Sequence, residues 1–187
     1  MHTVTFGHFL KKTYYYLNMK KTIPLLVLLV HLAIFSQAQE FSKVQSVFIF
    51  TFARYIQWPE GYNEGNFEIQ VLGDGPIVKE LRDASSAKKI NNRTVVVSQI
   101  SKVSEIKKSC VVFISANRSS QLDNVLTEVG AKPILVMSEE PGAGARGSNI
   151  NFMVKDGKFA YEINQTTMAK KNLKVSNELS RMAATVY

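Results

Sequence analysis

Gly142-Ala143-Gly144-Ala145-Arg146-Gly147 matches G-x-G-x-x-G and follows an apolar run, Ile134-Leu135-Val136-Met137, that reads as a strand. Such a loop holds a dinucleotide only where a helix starts directly after it, because the pyrophosphate must meet the helix N-terminus. Ser148 to Val154 reads instead as another strand, so the residues argue for a flexible loop that shapes a binding surface with Arg146 and Asn149 rather than for a cofactor. Other polar residues stand where predicted strands end: Gly73-Asp74-Gly75, Ser115-Ala116-Asn117-Arg118 and Ser138-Glu139-Glu140. Ligands of open parallel sheets bind beyond the carboxyl ends of the strands, which makes Asp74, Asn117, Arg146 and Asn149 the candidate ligand-binding residues. The same residue types build turns and helix caps, and that is the favoured reading of these strand ends. Asp74 and Glu139 are placed to meet across that crevice, but an acid–base pair needs a set separation and a raised pKa, and a sequence displays neither.

The remaining catalytic side chains are scarce. His2, His8 and His31 are the only histidines and all precede residue 39. Lys20 and Lys21 form a positive start, Ile23 to Phe35 an apolar stretch, and Ser36-Gln37-Ala38 a small-residue cleavage pattern, which together read as an export signal over residues 1–38. The apolar stretch is about 13 residues where a spanning helix needs roughly 20. Met19 alone begins a compact signal, which makes residues 1–18 a candidate upstream mis-start. Cleavage would leave residues 39–187 without a histidine, and so without a histidine base, triad or metal ligand. No metal or cofactor, and no catalytic residue, is expected.

Cys110 is the only cysteine, so no internal disulfide can form; its run Cys110-Val111-Val112-Phe113-Ile114 marks it as a core thiol. A disulfide-free exported domain suits a bacterial periplasm. The formal net charge of +8 is misleading. Without Lys11, Lys12, Lys20 and Lys21 the count is 19 Lys and Arg against 15 Asp and Glu, a net of +4 with the signs interspersed, which argues against a nucleic-acid partner.

These residues need elements to position them. Phe41 to Pro59 carries a helical pattern apolar on almost every side from Val47 to Ile56, which predicts a helix lying inside the domain and stopped by Pro59. Arg54 is the one charge within it. It either finds an acid or carbonyl inside the fold, the better reading of a buried arginine, or reaches the surface beside Tyr55 and Trp58. Phe67 to Leu72 alternates as a strand, and Pro76 sits at the first position of a helix with Asp74 or Gly75 as cap. Thr94 to Val97 is a second strand, Lys102 to Lys108 a short helical or looped stretch, and Cys110 to Ile114 a strand buried on both faces. Ser119 or Ser120 is expected to cap a helix closed by Gly130. Ile150 to Val154 and Lys158 to Ile163 flank Asp156-Gly157, a hairpin signal. Asn164 then caps one final helix through Met168, Leu173, Val175, Leu179 and Met182. The expected fold is α/β: a single three-layer domain over 39–187, its mostly parallel sheet ending in an antiparallel hairpin, with helices on both faces.

Phe52-Ala53-Arg54-Tyr55-Ile56-Gln57-Trp58-Pro59, Val71-Leu72-Gly73-Asp74, Cys110 to Ile114, and the closing pattern Ile150-Asn151-Phe152, Phe159-Ala160-Tyr161-Glu162-Ile163-Asn164, Leu179-Ser180-Arg181-Met182-Ala183 occur in an order that resembles the YfiR-type family of periplasmic regulatory proteins. The resemblance covers nearly all of Phe41 to Val186. It implies a non-enzymatic periplasmic domain that binds an inner-membrane signalling protein, a diguanylate cyclase or histidine kinase. The best known member holds a cyclase inactive under the influence of redox state and outer-membrane proteins. This chain lacks the cysteine pairs, so redox control by internal disulfides does not carry over. Arg54, Tyr55, Trp58, Phe159 and Tyr161 are the candidate partner-binding residues, the last two as part of an exposed edge hairpin. A small-ligand-binding module is the alternative, and a homodimer stays open.

Overall fold

The computed structural model describes residues 39–62, 64–107 and 109–187, so the expected export signal over 1–38 lies outside the described residues. The chain divides into two units between Glu40 and Phe41, and every element below belongs to the second, Phe41–Tyr187. Its first element is helix α1, whose part within this unit is residues 41–55. Then follow β1 (Ile56–Gln57), β2 (Phe67–Leu72), α2 (Pro76–Ala87), β3 (Lys89–Ile90), β4 (Arg93–Ile100), β5 (Val111–Ile114), α3 (Leu122–Val129), β6 (Leu135–Ser138), β7 (Ile150–Lys155), β8 (Lys158–Ile163), α4 (Gln165–Lys170), β9 (Lys174–Val175), α5 (Asn177–Met182) and β10 (Thr185–Val186).

Eight strands form one sheet in the order β10-β8-β7-β6-β5-β2-β4-β3, and β1 pairs with β9 in a separate antiparallel ribbon. The pairs β2–β4, β2–β5, β5–β6 and β6–β7 are parallel, and β7–β8 is the expected hairpin. Asp156 and Gly157 both take positive φ, 51° and 71°, as a two-residue turn that follows the strand twist requires. One face of the sheet packs Ile69, Val71, Phe113, Met137 and Phe152 against Phe52 and Ala53 of α1 and Leu81 of α2. The other packs Leu72, Val112, Ile114 and Val136 against Leu122, Val125 and Val129 of α3. This is the three-layer α/β architecture.

Several local expectations are corrected. Helix α1 does not lie inside the domain: Ile49, Phe50, Phe52 and Ala53 are buried, whereas Lys43, Val47 and Arg54 form an exposed line and Tyr55 stands beside it. The helix is thus a surface helix with a wide apolar face, since residues three and four apart share a side. It also stops at residue 55, before Pro59, because Ile56 and Gln57 leave to pair with Val175 and Lys174. That pairing also breaks the expected final helix into α4, β9 and α5, with Asn172 at φ 55° making the turn. Asn164 caps α4 as expected, its Oδ1 accepting from Thr167 N at 2.8 Å. Gly75, not Asp74, caps α2, and Gln121 precedes α3 after a 3-10 turn over Ala116–Gln121, so neither Ser119 nor Ser120 is the cap.

Arg93, at the start of β4, was not singled out by the sequence. Its Nε donates to Gly65 O (3.0 Å), its Nη1 to Tyr62 O (2.9 Å) and its Nη2 to Glu64 O (3.0 Å), while the guanidinium lies over the Phe67 ring. A planar fork of donors suits a loop that turns several carbonyls inward.

Candidate functional site

The chain passes from β2 to β4 on one side and then returns to β5 on the other, so the carboxyl ends of β2 and β5 form the topological switch point where such sheets take ligands. In this protein the two ligand candidates there meet each other: Asn117 Nδ2 donates to Asp74 Oδ1. Gly73, at φ 103°, lies so close that a Cβ would stand 2.5 Å from Asn117 Oδ1 and 2.7 Å from Arg118 Cγ. The positive φ favours glycine here, and any larger residue would also press on the side chains of that loop.

Glu139, beyond β6, has different partners. Its Oε1 accepts from Ala116 N at 2.7 Å and its Oε2 from Gln45 Nε2 at 2.6 Å, so one carboxylate ties α1 to the ends of β5 and β6. Gln45 is fully buried and its Oε1 has no partner among the described residues; the buried Ser115 Oγ is in the same position. Desolvation raises the Glu139 pKa above 4.5, against the pull of the two donated hydrogen bonds. A raised folded-state value means that Glu139 supports folding fully below about pH 4.5 and that this support fades as pH rises through the folded value. Glu139→Gln is therefore expected to flatten that part of the pH profile. The Gln45 amide can turn over to accept from the new Nε2. Urea melts of both proteins from pH 4 to 7 check this, and parallel profiles would acquit Glu139.

Beyond β6 to β8 runs a polar chain, buried except at its Tyr187 end. Ser138 Oγ lies 3.0 Å from Asn151 Oδ1, Asn151 Nδ2 donates to Glu162 Oε2 at 2.9 Å, and Tyr187 OH donates to Glu162 Oε1 at 3.1 Å. The G-x-G-x-x-G segment is a turn with one side wedged against it. Ala143, Gly144 and Gly147 are buried, and Ser148 N donates back to Ala143 O at 3.0 Å. A Cβ on Gly144 would stand 2.6 Å from Glu162 Oε2, so this glycine serves packing.

Arg146 and Asn149 part company. Arg146 is exposed and pairs with Asp123 (3.1 Å) and Glu140 (3.3 Å). Asn149 is fully buried: its Oδ1 accepts from Val136 N and Lys171 Nζ, and its Nδ2 donates to Thr167 Oγ1, so its amide is spent within the fold. Lys171 is 5% exposed, and its other bond goes to Ile134 O at 3.2 Å. Burial pushes this ammonium down to about 8. Only the fold places it here, since Lys170-Lys171 reads in sequence as an ordinary solvated pair.

The partner-binding candidates also separate by exposure. Arg54 is exposed, correcting the preference for a buried role, and Tyr55 is 55% exposed. Trp58 is buried edge-on against Phe67, centroids 5.4 Å apart, with its indole N–H unpartnered among the described residues. Tyr161 is buried too, its OH donating to Leu179 O and its ring meeting Phe52. Burial also raises its pKa. β10 pairs with the outer edge of β8 at Glu162 and Ile163 only, so the stretch from Lys158 to Ala160, with Phe159, is not covered by that strand. Phe159 is half-buried among Phe41, Phe48 and Phe152, next to the exposed Val154 with which it pairs across the hairpin.

The helix with its aromatic exit, the switch-point glycine and the closing hairpin thus occupy one continuous unit. The family described as YfiR/HmsC-like matches residues 42–184. The chain belongs to that family. The matched span runs from the start of α1 almost to β10 and takes in every YfiR/HmsC-like mark noted in the sequence. No curated protein matches the chain at a significant level. Among solved structures it is similar to the ABC domain in complex with L-Trp from Streptococcus pneumonia, at 10% identity and a TM-score of 0.48, covering 64% of this chain and 55% of that one. The chain thus spans little more than half the length of that structure. Among the described residues, no helix is long and apolar enough to cross a membrane and no cluster of His, Cys, Asp or Glu is built to hold a metal ion.

Proposed function

We propose that this YfiR/HmsC-like chain is a non-enzymatic, exported regulatory protein that binds the periplasmic part of an inner-membrane signalling protein, a diguanylate cyclase or a histidine kinase, and modulates its output. Residues 1–38 serve as the export signal and 39–187 act in the periplasm. The observation that carries the reading is the family match over residues 42–184.

Contact with the partner falls to the exposed line of α1, Val47, Arg54 and Tyr55, together with the half-buried Phe159 of the hairpin. Trp58 and Tyr161 act from beneath, by holding that surface in place. Crosslinking in the native envelope, capture of the tagged protein and mass spectrometry test this. An inner-membrane protein with a cytoplasmic cyclase or kinase domain is expected to enrich, and Arg54→Glu with Tyr55→Ala to weaken its capture at least tenfold without moving the melting temperature. Enrichment of nothing membrane-bound above an unrelated exported control overturns the reading.

A further inference from the structure

A cavity of about 210 Å³ opens between α3, the 142–147 turn and α4, lined by Leu126, Arg146, Gly147, Thr167, Lys170 and Lys171 among others. Three of these carry positive charge. Gly147 keeps the cavity open, because at φ 114° a Cβ would press within 3.1 Å of Leu126 Cδ1. Arg146 is balanced by Asp123 and Glu140 at the rim. Lys171 is not balanced: among the described residues its ammonium meets two neutral oxygens, Ile134 O and Asn149 Oδ1, and no carboxylate. A buried charge normally has a counter-charge, and an ammonium has three N–H groups to place. Two acceptors leave one donor over. The cavity has ample room for that counter-charge, since a water needs only about 10–15 Å³ on the same kind of measure. It is also smaller than the roughly 300–1,000 Å³ of pockets for drug-sized ligands.

We propose that the cavity between α3, the 142–147 turn and α4 is a binding site for a small oxyanion, the phosphate or carboxylate group of a small molecule, held by the buried Lys171 with Arg146 and Lys170 at its mouth. The ammonium supplies the desolvated charge, where attraction is strongest, Lys170 supplies an exposed donor, and Arg146 would have to turn its guanidinium from Asp123 and Glu140 to join them. Asn149 is a positioning residue, since its Oδ1 holds Lys171 Nζ at 3.1 Å and its Nδ2 holds Thr167. The site is independent of the partner-binding surface on α1 and stands or falls apart from it.

Titration of the ¹⁵N-labelled 39–187 chain, as exported, with inorganic phosphate and separately with acetate tests the site. Saturable amide shifts centred on Gly147, Thr167 and Lys171 are expected with at least one anion. Phosphate saturating lower identifies a phosphate group, and acetate saturating lower a carboxylate. Lys171→Met is expected to weaken binding at least tenfold and Arg146→Gln several-fold. Lys79→Gln, at an exposed lysine paired with Asp83, is expected to leave it unchanged. If neither anion saturates, if the shifts centre elsewhere, or if Lys79→Gln weakens binding as much as Arg146→Gln, the proposal is wrong. The map of shifts in the unsubstituted protein decides the matter even if Lys171→Met does not fold.

Discussion

Phe52→Ala is expected to destabilise the protein by about 3–5 kcal/mol, the usual cost of truncating a buried aromatic in a core that cannot collapse around the gap. Phe52 has no exposed surface. Its ring lies 4.9 Å from Tyr161 in an edge contact, 6.1 Å from Phe152 and 6.2 Å from Phe48, so it is where α1 meets the hairpin. Removing it strips three aromatic neighbours of contacts at once, and interiors are packed too densely for them to close the space. For a domain of this size the loss corresponds to a fall in melting temperature of roughly 6–20 °C. Tyr55→Ala, three positions along the same helix but on its open side, is expected to stay within about 0.5 kcal/mol of the unsubstituted protein. Urea unfolding of the two variants measures both. Equal costs would mean that α1 does not present the face described here.

Lys171→Met is expected to change the pH dependence of stability more than any other single substitution. The folded-state value of about 8 lies below the 10.5 of an unperturbed lysine, so between those two values the unfolded chain binds more protons than the folded one. Stability is then lowest below about pH 8 and rises as pH goes up through 8 toward 10.5. By the free energy of a pKa unit the full rise is on the order of 3 kcal/mol. Methionine fills the site without a charge. It removes the rise and adds about 1–2 kcal/mol near neutral pH, after the loss of two hydrogen bonds worth about 1 kcal/mol each. The measurement is a set of urea melts from pH 7 to 10.5, in buffer free of phosphate and carboxylate, on both proteins. Other lysines and tyrosines titrate in this range, so the difference between the two curves carries the result. Curves that run parallel would mean that Lys171 is not desolvated.

Where stretches of sequence had one physical solution, they stated their structure directly. Asp156-Gly157 between two apolar runs can be little else than a tight hairpin, because few residues tolerate positive φ at both central positions. Pro76 after glycine starts a helix, and four consecutive apolar residues at Val111 to Ile114 belong in a strand covered on both faces. These signals are local, and together with the order of strands and helices they were enough for the three-layer sheet and for membership of the YfiR/HmsC-like family.

The departures from expectation are all contacts between distant parts of the chain. Helix α1 looked apolar on almost every side, but pattern alone could not show which line of residues the sheet leaves uncovered. Its end at residue 55 was set by Val175, more than a hundred residues away. Asp74 and Asn117 read as turn or cap residues, or else as ligand groups, and only the fold showed that they meet one another; Asn149 looked accessible until β6 and Lys171 took its amide. Lys171 carried no signal, since a lysine's burial depends on which carbonyls the fold turns toward it. Composition, periodicity and turn chemistry are written along the chain and determined the fold class and its elements. Burial, hydrogen-bond pairing and desolvation depend on residues brought together from far apart, so only the tertiary structure decided which polar groups hold the fold together and which are left for a partner or an anion.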